Sequence, residues 1–266
     1  MRTHGFARVA VCVPPVRVAE PAFNAAAHLE QLETVHRAGA HYALCPELGI
    51  SAYTCGDLFF QESLLDGVRA ALAQLAQASA DWNLVITVGA PLAVDGLLFN
   101  CAVTLYRVRV LAVAPKAYPP NYREFYELRH FRSGDACRRD TIDLLGEKVP
   151  FGSRLLFQAT ELRALKVHVE ICEDLWAPIP PSTFAAMAGA TVLANLSGSN
   201  LTIGKAGYRR QLCSSHSARA LAAYVYAGAG EHESTTDLAW DGHAIIAENG
   251  NVLAESTPFA GEPQLV

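Results

Sequence analysis

Three reactive side chains, those of Glu47, Lys116 and Cys172, each stand at the end of an apolar run. Strand ends are where α/β folds hold functional groups on a rigid support. A carboxylate can take the proton of a thiol, the thiolate can attack an amide carbon, and an ammonium can stabilise the oxyanion that forms. Only four residues of the chain are lysines, which favours a specific role for Lys116 over that of a solvated strand end. The three residues predict amide hydrolysis by a cysteine nucleophile.

A papain-like Cys–His couple is the weaker alternative. His168 and His216 are the candidate bases, for Cys172 or Cys213. A single histidine inside an apolar strand is more often a structural residue, so the carboxylate–lysine arrangement is preferred. The histidines and cysteines show no metal-ligand spacing, and we predict no metal site.

A phosphate-binding loop is rejected for the segment at 198–205. Five residues rather than four separate its glycines, and Ala206 stands where that motif needs Ser or Thr.

Apolar periodicity predicts an α/β chain with mixed sheets. The first part alternates strands at 8–13, 42–45 and 84–91 with helices at 23–37 and 61–79. Two further extended runs, at 97–106 and 108–114, predict a hairpin. After an irregular stretch at 118–152, strands are expected at 153–157, 165–172, 191–195 and 224–229, and helices at 181–188 and 207–223. A last hairpin, 238–246 with 252–254, turns at Asn249-Gly250. No linker divides residues 1–266, so we expect a single domain.

Composition excludes several classes of protein. The 266 residues are 51% hydrophobic and 18% charged, with a net charge of −5 and no basic run that could neutralise a phosphate backbone, so nucleic-acid binding is not expected. The apolar runs are too short for a membrane span or a signal peptide. Seven cysteines, an odd number, suit reduced thiols. A cytoplasmic location is the expectation.

Three segments carry a resemblance to a known family. CPELGISAY at 45–53, PKAYPPNYREFYE at 115–127 and VEICEDLW at 169–176 resemble the catalytic segments of the nitrilase (carbon–nitrogen hydrolase) superfamily. Further segments at 193–199, 202–205 and 233–241 resemble the N-terminal glutaminase domain of glutamine-dependent NAD synthetases, over almost the whole chain. The resemblance implies a nitrilase-like αββα sandwich, with two mixed sheets and helices on the outer faces.

The same resemblance implies roles for individual residues. Glu47 is the general base and acid, Cys172 is the nucleophile, and the oxyanion is held by Lys116 and by the N–H of Glu173. The implied substrate is L-glutamine. The residues assigned to substrate binding, or to the walls and geometry of the site, are Tyr122, Ser199, Lys205, Glu127, Tyr53 and Trp176. Related domains carry arginine where this chain has Lys205, and lysine lacks the bidentate fork for a carboxylate.

The resemblance also implies partners. Glutamine hydrolysis needs no cofactor, whereas ATP and Mg belong to a synthetase domain for which this chain has no pyrophosphate-loop motif. That domain is expected in cis if the chain is a fragment, or otherwise in trans, and homo-oligomers are expected. Two alternatives stay open: a stand-alone amidase acting on another small amide, and a non-catalytic domain that serves oligomer contacts.

Overall fold

Two six-stranded sheets form the centre of the computed structural model, which describes residues 5–266. The strands of the first sheet, in spatial order, are β14 (Gln264–Leu265), β1 (Val9–Val13), β2 (Tyr42–Leu44), β3 (Val85–Val94), β4 (Leu97–Tyr106) and β5 (Arg109–Pro115). Strands β1, β2 and β3 are parallel, and the other pairings are antiparallel. The sheet is therefore mixed, as the predicted hairpin requires.

The second sheet repeats this plan. Its strands, in spatial order, are β13 (Asn251–Glu255), β12 (Ala244–Glu248), β11 (Ala223–Gly228), β10 (Val192–Ser197), β9 (Lys166–Ile171) and β8 (Phe157–Gln158). Three central strands, β9, β10 and β11, are parallel, and the outer pairs are antiparallel. Both sheets thus place the carboxyl ends of three parallel strands at one edge, where functional side chains can meet.

The layers follow from where the apolar side chains are buried. Val11, Leu44, Val169 and Leu196 belong to a dry cluster between the two sheets. Helices α1 (Pro21–Arg37) and α2 (Glu62–Ala78) bury a second cluster against the outer face of the first sheet. Helices α3 (Glu173–Trp176), α4 (Pro181–Met187) and α5 (Lys205–Ala220) lie over the second sheet. This is the αββα sandwich that the resemblance implies.

Some predicted elements are wrong. The strand expected at 153–157 is irregular except for its last residue, which begins β8, and Leu156 is exposed rather than packed. The strand expected at 238–246 begins only at Ala244. Before it, the Trp240 indole donates to the Ser234 carbonyl and Asp241 accepts from Arg209, so side-chain bonds replace a ladder.

The stretch predicted to be irregular contains a hairpin, β6 (Thr141–Leu144) with β7 (Glu147–Pro150). Its turn, Leu145-Gly146, has positive φ at both residues. The predicted turn at Asn249-Gly250 does so as well, as a two-residue hairpin turn requires. None of the helices between residues 5 and 266 has the length and apolar character needed to cross a bilayer.

Candidate active site

The two sheets bring the three predicted catalytic side chains to one place. Glu47 lies three residues beyond β2, Lys116 directly follows β5, and Cys172 directly follows β9. Glu47 and Lys116 are fully buried, and Cys172 is 3% exposed. Since β2 and β5 belong to the first sheet and β9 to the second, the site lies where the sheets face each other.

A buried lysine links two carboxylates. Lys116 Nζ lies 2.7 Å from Glu47 Oε1 and 2.7 Å from Glu127 Oε1. The Tyr53 hydroxyl donates to the same Glu127 oxygen at 2.7 Å. The Asn100 amide donates to Glu47 Oε1 at 2.6 Å. We call Glu47, Asn100, Lys116 and Glu127 the buried cluster. Each of its residues makes at least one hydrogen bond within it, and Glu127 Oε2 and Asn100 Oδ1 have no partner among the described residues.

The second oxygen of the Glu47 carboxylate is held from the other sheet. The backbone N–H of Gly198, just after β10, donates to Glu47 Oε2. The backbone of Gly89 on β3 lies close to the turn that carries Glu47: a Cβ on Gly89 would lie 2.2 Å from the nitrogen of Leu48. Only glycine fits there, so β3 sets the position of the turn that carries Glu47.

Burial and charge set the protonation of these groups. Burial alone would lower the pKa of Lys116, but the charges of Glu127 and Glu47 keep that pKa well above its ordinary value. Burial raises the pKa of Glu127 to about 7, against the opposing effect of Lys116. Burial and then the Glu47 charge raise the pKa of Cys172 to about 12. Cys172 is therefore a thiol at rest, and it would need a base to become a thiolate.

Cys172 has a strained backbone. Its φ of 47° and ψ of −100° are unusual for a residue with a side chain, and such conformations cost on the order of 1–3 kcal/mol. The Asn195 side chain holds this turn: its Oδ1 accepts from the Cys172 N–H at 3.1 Å, and its Nδ2 donates to the Cys172 carbonyl at 3.4 Å. Strand β10 thereby fixes the sharp turn that presents the sulfur.

Asp174 ties the cysteine turn to the lysine segment. Its buried carboxylate accepts the N–H of Ile171 at 2.9 Å and that of Tyr118 at 2.8 Å. Burial raises the pKa of Asp174 to about 7. This side chain joins the strand before Cys172 to the residues just after Lys116, so separating the two sheets here would break its bond to Tyr118.

A cavity of about 530 Å³ opens beside Cys172. Its walls include an acid, Glu173, and a base, Lys205, whose ammonium lies 5.4 Å from the Trp176 ring and donates to Asn200 Oδ1. The Tyr122 hydroxyl donates to both Glu173 oxygens, at 2.8 and 2.9 Å. Ser199 is 3% exposed, and its hydroxyl has no hydrogen-bond partner among the described residues. The cavity thus offers opposite charges and an unpaired hydroxyl.

The residues assigned to substrate binding and pocket walls fall into two groups. The residues among them that line the cavity are Tyr122, Ser199, Lys205 and Trp176. Tyr53 and Glu127 are not among the residues that line this cavity. The Tyr53 hydroxyl bonds Glu127, and the Tyr53 ring packs edge-on against Trp240. Glu233 holds the Tyr53 loop by accepting the N–H groups of Tyr53 and Thr54.

Neither candidate histidine is bonded to a cysteine. His168 Nδ1 lies 3.0 Å from the Leu155 carbonyl, and His216 Nε2 lies 2.9 Å from the Ser182 hydroxyl. Burial lowers the pKa of both imidazoles. These contacts give the histidines structural positions and leave the carboxylate–lysine arrangement around Cys172.

Sequence reasoning did not single out Asn100 or Asn195. Asn100 and Asn195 are polar residues inside strands whose neighbours are apolar, β4 and β10. An amide at a fully buried position needs a partner, so this pattern was a usable signal. The partner itself, Glu47 or Cys172, follows only from the packing of the strands.

The arrangement agrees with the comparisons to known proteins. The family model described as carbon-nitrogen hydrolase matches residues 8–262. The glutamine-dependent NAD(+) synthetase of Mycobacterium tuberculosis strain H37Rv is 54% identical over 256 residues, which cover 96% of this chain and 38% of that protein. Its Mycobacterium leprae counterpart is 50% identical and is covered to the same 38%. The chain thus spans well under half the length of these curated relatives.

Solved structures share the fold. A glutamine-dependent NAD(+) synthetase from Cytophaga hutchinsonii superposes with a TM-score of 0.82 at 24% identity, covering 98% of this chain and 42% of the other. An amidase of the nitrilase superfamily from Nesterenkonia superposes with a TM-score of 0.76 at 18% identity, covering 97% of this chain and 88% of the other. At such identities the likeness concerns architecture. The family match over residues 8–262 shows that the chain belongs to the carbon-nitrogen hydrolase family.

Proposed function

We propose that this chain hydrolyses the side-chain amide of L-glutamine, with Cys172 as nucleophile, Glu47 as general base and acid, and Lys116 as electrostatic stabiliser. The observation that carries the proposal is the buried cluster: a lysine bonded at 2.7 Å to each of two carboxylates, beside a cysteine held in a strained turn. The relatives named above, glutamine-dependent NAD(+) synthetases, support glutamine as the substrate.

The first half-reaction forms a thioester. Glu47 takes the proton of the Cys172 thiol as the sulfur attacks the carbon of the side-chain amide. The resulting oxyanion accepts hydrogen bonds from Lys116 and from the backbone N–H of Glu173. An ammonium has three N–H groups, and two of those on Lys116 serve Glu47 and Glu127, so one remains for the oxyanion. Collapse breaks the C–N bond, Glu47 protonates the leaving nitrogen, and ammonia departs.

The second half-reaction releases glutamate. Glu47 takes a proton from a water molecule, whose oxygen adds to the thioester carbon. Collapse of this intermediate breaks the C–S bond, and Glu47 returns the proton to the Cys172 sulfur. Thiol, carboxylate, ammonium and water complete the cycle, so the hydrolysis as written uses no cofactor.

The charges of the cavity suit the amino-acid end of glutamine. Glu173 can accept from the α-ammonium, while Lys205 and the unpartnered Ser199 hydroxyl can donate to the α-carboxylate. Tyr122, already bonded to Glu173, orients that carboxylate. A simple amide would form no ion pair with Glu173 or Lys205 and would leave the Ser199 hydroxyl without a partner, which favours glutamine over an amide that lacks the amino-acid head.

The partners are part of the proposal. The ammonia serves amidation by an ATP- and Mg-dependent NAD synthetase domain, in cis or in trans. A homo-oligomer would cover the apolar side chains exposed on α4, Phe184 and Met187, which are 51% and 74% exposed.

Glutamine hydrolysis by the full-length protein, followed as glutamate and ammonia release, tests this function. Cys172→Ala is expected to abolish turnover, and a glutamine-analogue electrophile should no longer label the peptide that contains residue 172, because Cys172 is the cysteine among the described residues that lines the cavity. Cys137→Ala, at a half-buried cysteine outside the site, is the matched control and should keep the original rate. Full activity of Cys172→Ala, or a preference for butyramide over glutamine, would contradict the proposal.

A further inference from the structure

Arg209 carries a fully buried charge and is not among the residues proposed above for catalysis or substrate binding. It lies one turn after Lys205 on α5, and its side chain is 0% exposed. Its Nη1 donates to both Asp241 oxygens, at 2.8 and 3.1 Å, and lies 2.9 Å from His243 Nδ1. His243 Nε2 in turn lies 2.7 Å from a Glu255 oxygen. The guanidinium is thus anchored to the segment before β12 and to β13.

The other end of the guanidinium faces the cavity wall. Arg209 Nη2 donates to the backbone carbonyls of Ser199 and Asn200, at 3.5 and 3.3 Å. The Arg209 cation also lies 5.5 Å from the ring of Tyr226, whose hydroxyl donates to Ser197 Oγ at 2.6 Å. Arg209 therefore supports the segment 197–200 at two places, through carbonyl oxygens and through a tyrosine.

That segment touches several parts of the proposed site. The Gly198 N–H donates to Glu47, Ser199 lines the cavity and has an unpartnered hydroxyl, and Asn200 accepts from Lys205. Asn200 Nδ2 also donates to Glu124 at 2.9 Å. The backbone at 199–200 has no strand ladder of its own, since β10 ends at Ser197. The bonds from Arg209 are a substitute for that ladder.

Stability alone is a weak reason for this network. A buried ion pair is often no more stabilising than apolar residues of the same volume, because both charges lose their hydration. The two terminal nitrogens of the guanidinium hold different partners, Asp241 by Nη1 and the two carbonyls by Nη2, which an apolar side chain cannot do. The geometry of the two carbonyl bonds therefore points to positioning of the segment that they hold.

We propose that Arg209 is a positioning residue for substrate binding: its guanidinium fixes the backbone of Ser199 and Asn200, so that the Ser199 hydroxyl and the Lys205 ammonium meet the α-carboxylate of glutamine. The inference rests on the proposed glutaminase activity. It assigns Arg209 no contact with substrate. It predicts a loss of substrate affinity that is larger than the loss in the reactivity of Cys172.

Arg209→Lys is the test, because lysine keeps a charge for Asp241 and loses the fork to the two carbonyls. We expect the KM for glutamine to rise about tenfold, the size of effect of one lost charged hydrogen bond, with kcat within about threefold of wild type. Alkylation of Cys172 by iodoacetamide, which has no amino-acid head, should change less than about twofold, because Arg209 bonds the carbonyls of Ser199 and Asn200 and no member of the buried cluster. Arg210→Lys, the exposed neighbour that pairs with Glu255 at 3.5 Å, is the matched control and should match wild type.

Two further measurements keep the inference falsifiable. Asp241→Asn leaves Arg209 in place but weakens its anchor, so the KM should rise in the same direction and by less; this variant serves if Arg209→Lys does not fold. In a double-mutant cycle, Ser199→Ala combined with Arg209→Lys should raise KM by less than the product of the single effects, since Arg209 acts through Ser199.

An unchanged KM in Arg209→Lys, or equal losses in glutamine turnover and in iodoacetamide alkylation, would overturn the inference. Full multiplicative effects in the double-mutant cycle would do the same. Failure of the proposed function has a different signature, because the wild-type protein itself would then release no glutamate from glutamine.

Discussion

The buried cluster and the cavity wall are built in opposite ways. Lys116 and Glu47 are fully buried, and each is bonded to at least two neighbours. In the cavity wall, Tyr122 is 49% exposed, Lys205 is half-buried, and the Ser199 hydroxyl is unpaired. The groups proposed for chemistry have their partners within the protein, whereas those proposed for recognition keep bonding capacity for a ligand. We therefore expect substitutions in the first region to lower kcat and those in the second to raise KM.

The two regions also differ in what carries them. Glu47, Lys116 and Cys172 follow strands, so the sheets set their separation. Tyr122 belongs to an irregular segment, and Lys205 begins α5. Sites held by strand ends are more rigid than sites on loops, and rigid placement matters most for charge stabilisation in the transition state. Three predictions test this comparison.

The largest effect is expected for Lys116→Met. Loss of an oxyanion donor typically lowers kcat by about 10²–10³-fold. The substitution also leaves the Glu47 and Glu127 carboxylates buried without their cation, a change that commonly costs about 3–5 kcal/mol of stability. Steady-state kinetics and urea unfolding would measure the two losses. Lys148→Met, at an exposed position on β7, should change neither. A kcat within tenfold of wild type would remove Lys116 from the chemistry.

A smaller effect, confined to affinity, is expected at Lys205. Lys205→Met should raise the KM for glutamine by about tenfold, with kcat nearly unchanged, because a charge-assisted hydrogen bond to the α-carboxylate is lost. Lys205→Arg should lower KM below that of wild type, since the fork can hold both carboxylate oxygens.

Lys166→Met on β9, outside the cavity, is the control for the Lys205 variants. If Lys205→Met lowered kcat as strongly as Lys116→Met, the division between the two regions would not hold.

The local sequence pattern predicts the strands that position the site better than it predicts the side-chain contacts within the site. Apolar runs identify the strands that precede Glu47, Lys116 and Cys172, because burial on both faces leaves a plain signal. Glu127 begins a short 3-10 helix, Glu127–Arg129, and the fact that it shares Lys116 with Glu47 depends on packing between distant segments. Tyr53 is assigned to the walls or geometry of the site, and in the structure its hydroxyl bonds Glu127 while its ring packs against Trp240. Residue type alone does not say which face of a site an aromatic ring covers.

The errors in the fold have a similar cause. Residues 238–243 are apolar enough to predict a strand, but Asp241 lies among them and pairs with Arg209 from α5. Hydrophobicity predicts a strand at 153–157, but Leu156 is 38% exposed. Long-range partners decide such cases, and a single sequence does not display them.

The smallest effect on catalysis is expected behind the buried cluster, at His28. This fully buried imidazole on α1 lies under the turn that carries Glu47, since a Cβ on Gly49 would lie 2.9 Å from His28 Nε2. Burial lowers the pKa of His28 from 6.5 to about 4, so protonation favours the unfolded chain. The neutral imidazole gives its full stability above about pH 6.5, and this is lost as the pH falls toward 4.

Between pH 7 and 5, wild type should therefore lose about 2 kcal/mol of unfolding free energy that His28→Gln does not lose, at 1.36 kcal/mol per pKa unit. Urea unfolding at the two pH values would measure the difference, and His232→Gln, at an exposed histidine, is the control. If the unfolding free energies of wild type and His28→Gln depended equally on pH, burial would not lower the pKa of His28. At pH 7 the kcat of His28→Gln should stay near that of wild type, because His28 contacts the turn beyond Glu47 and none of the residues that bond the Glu47 carboxylate.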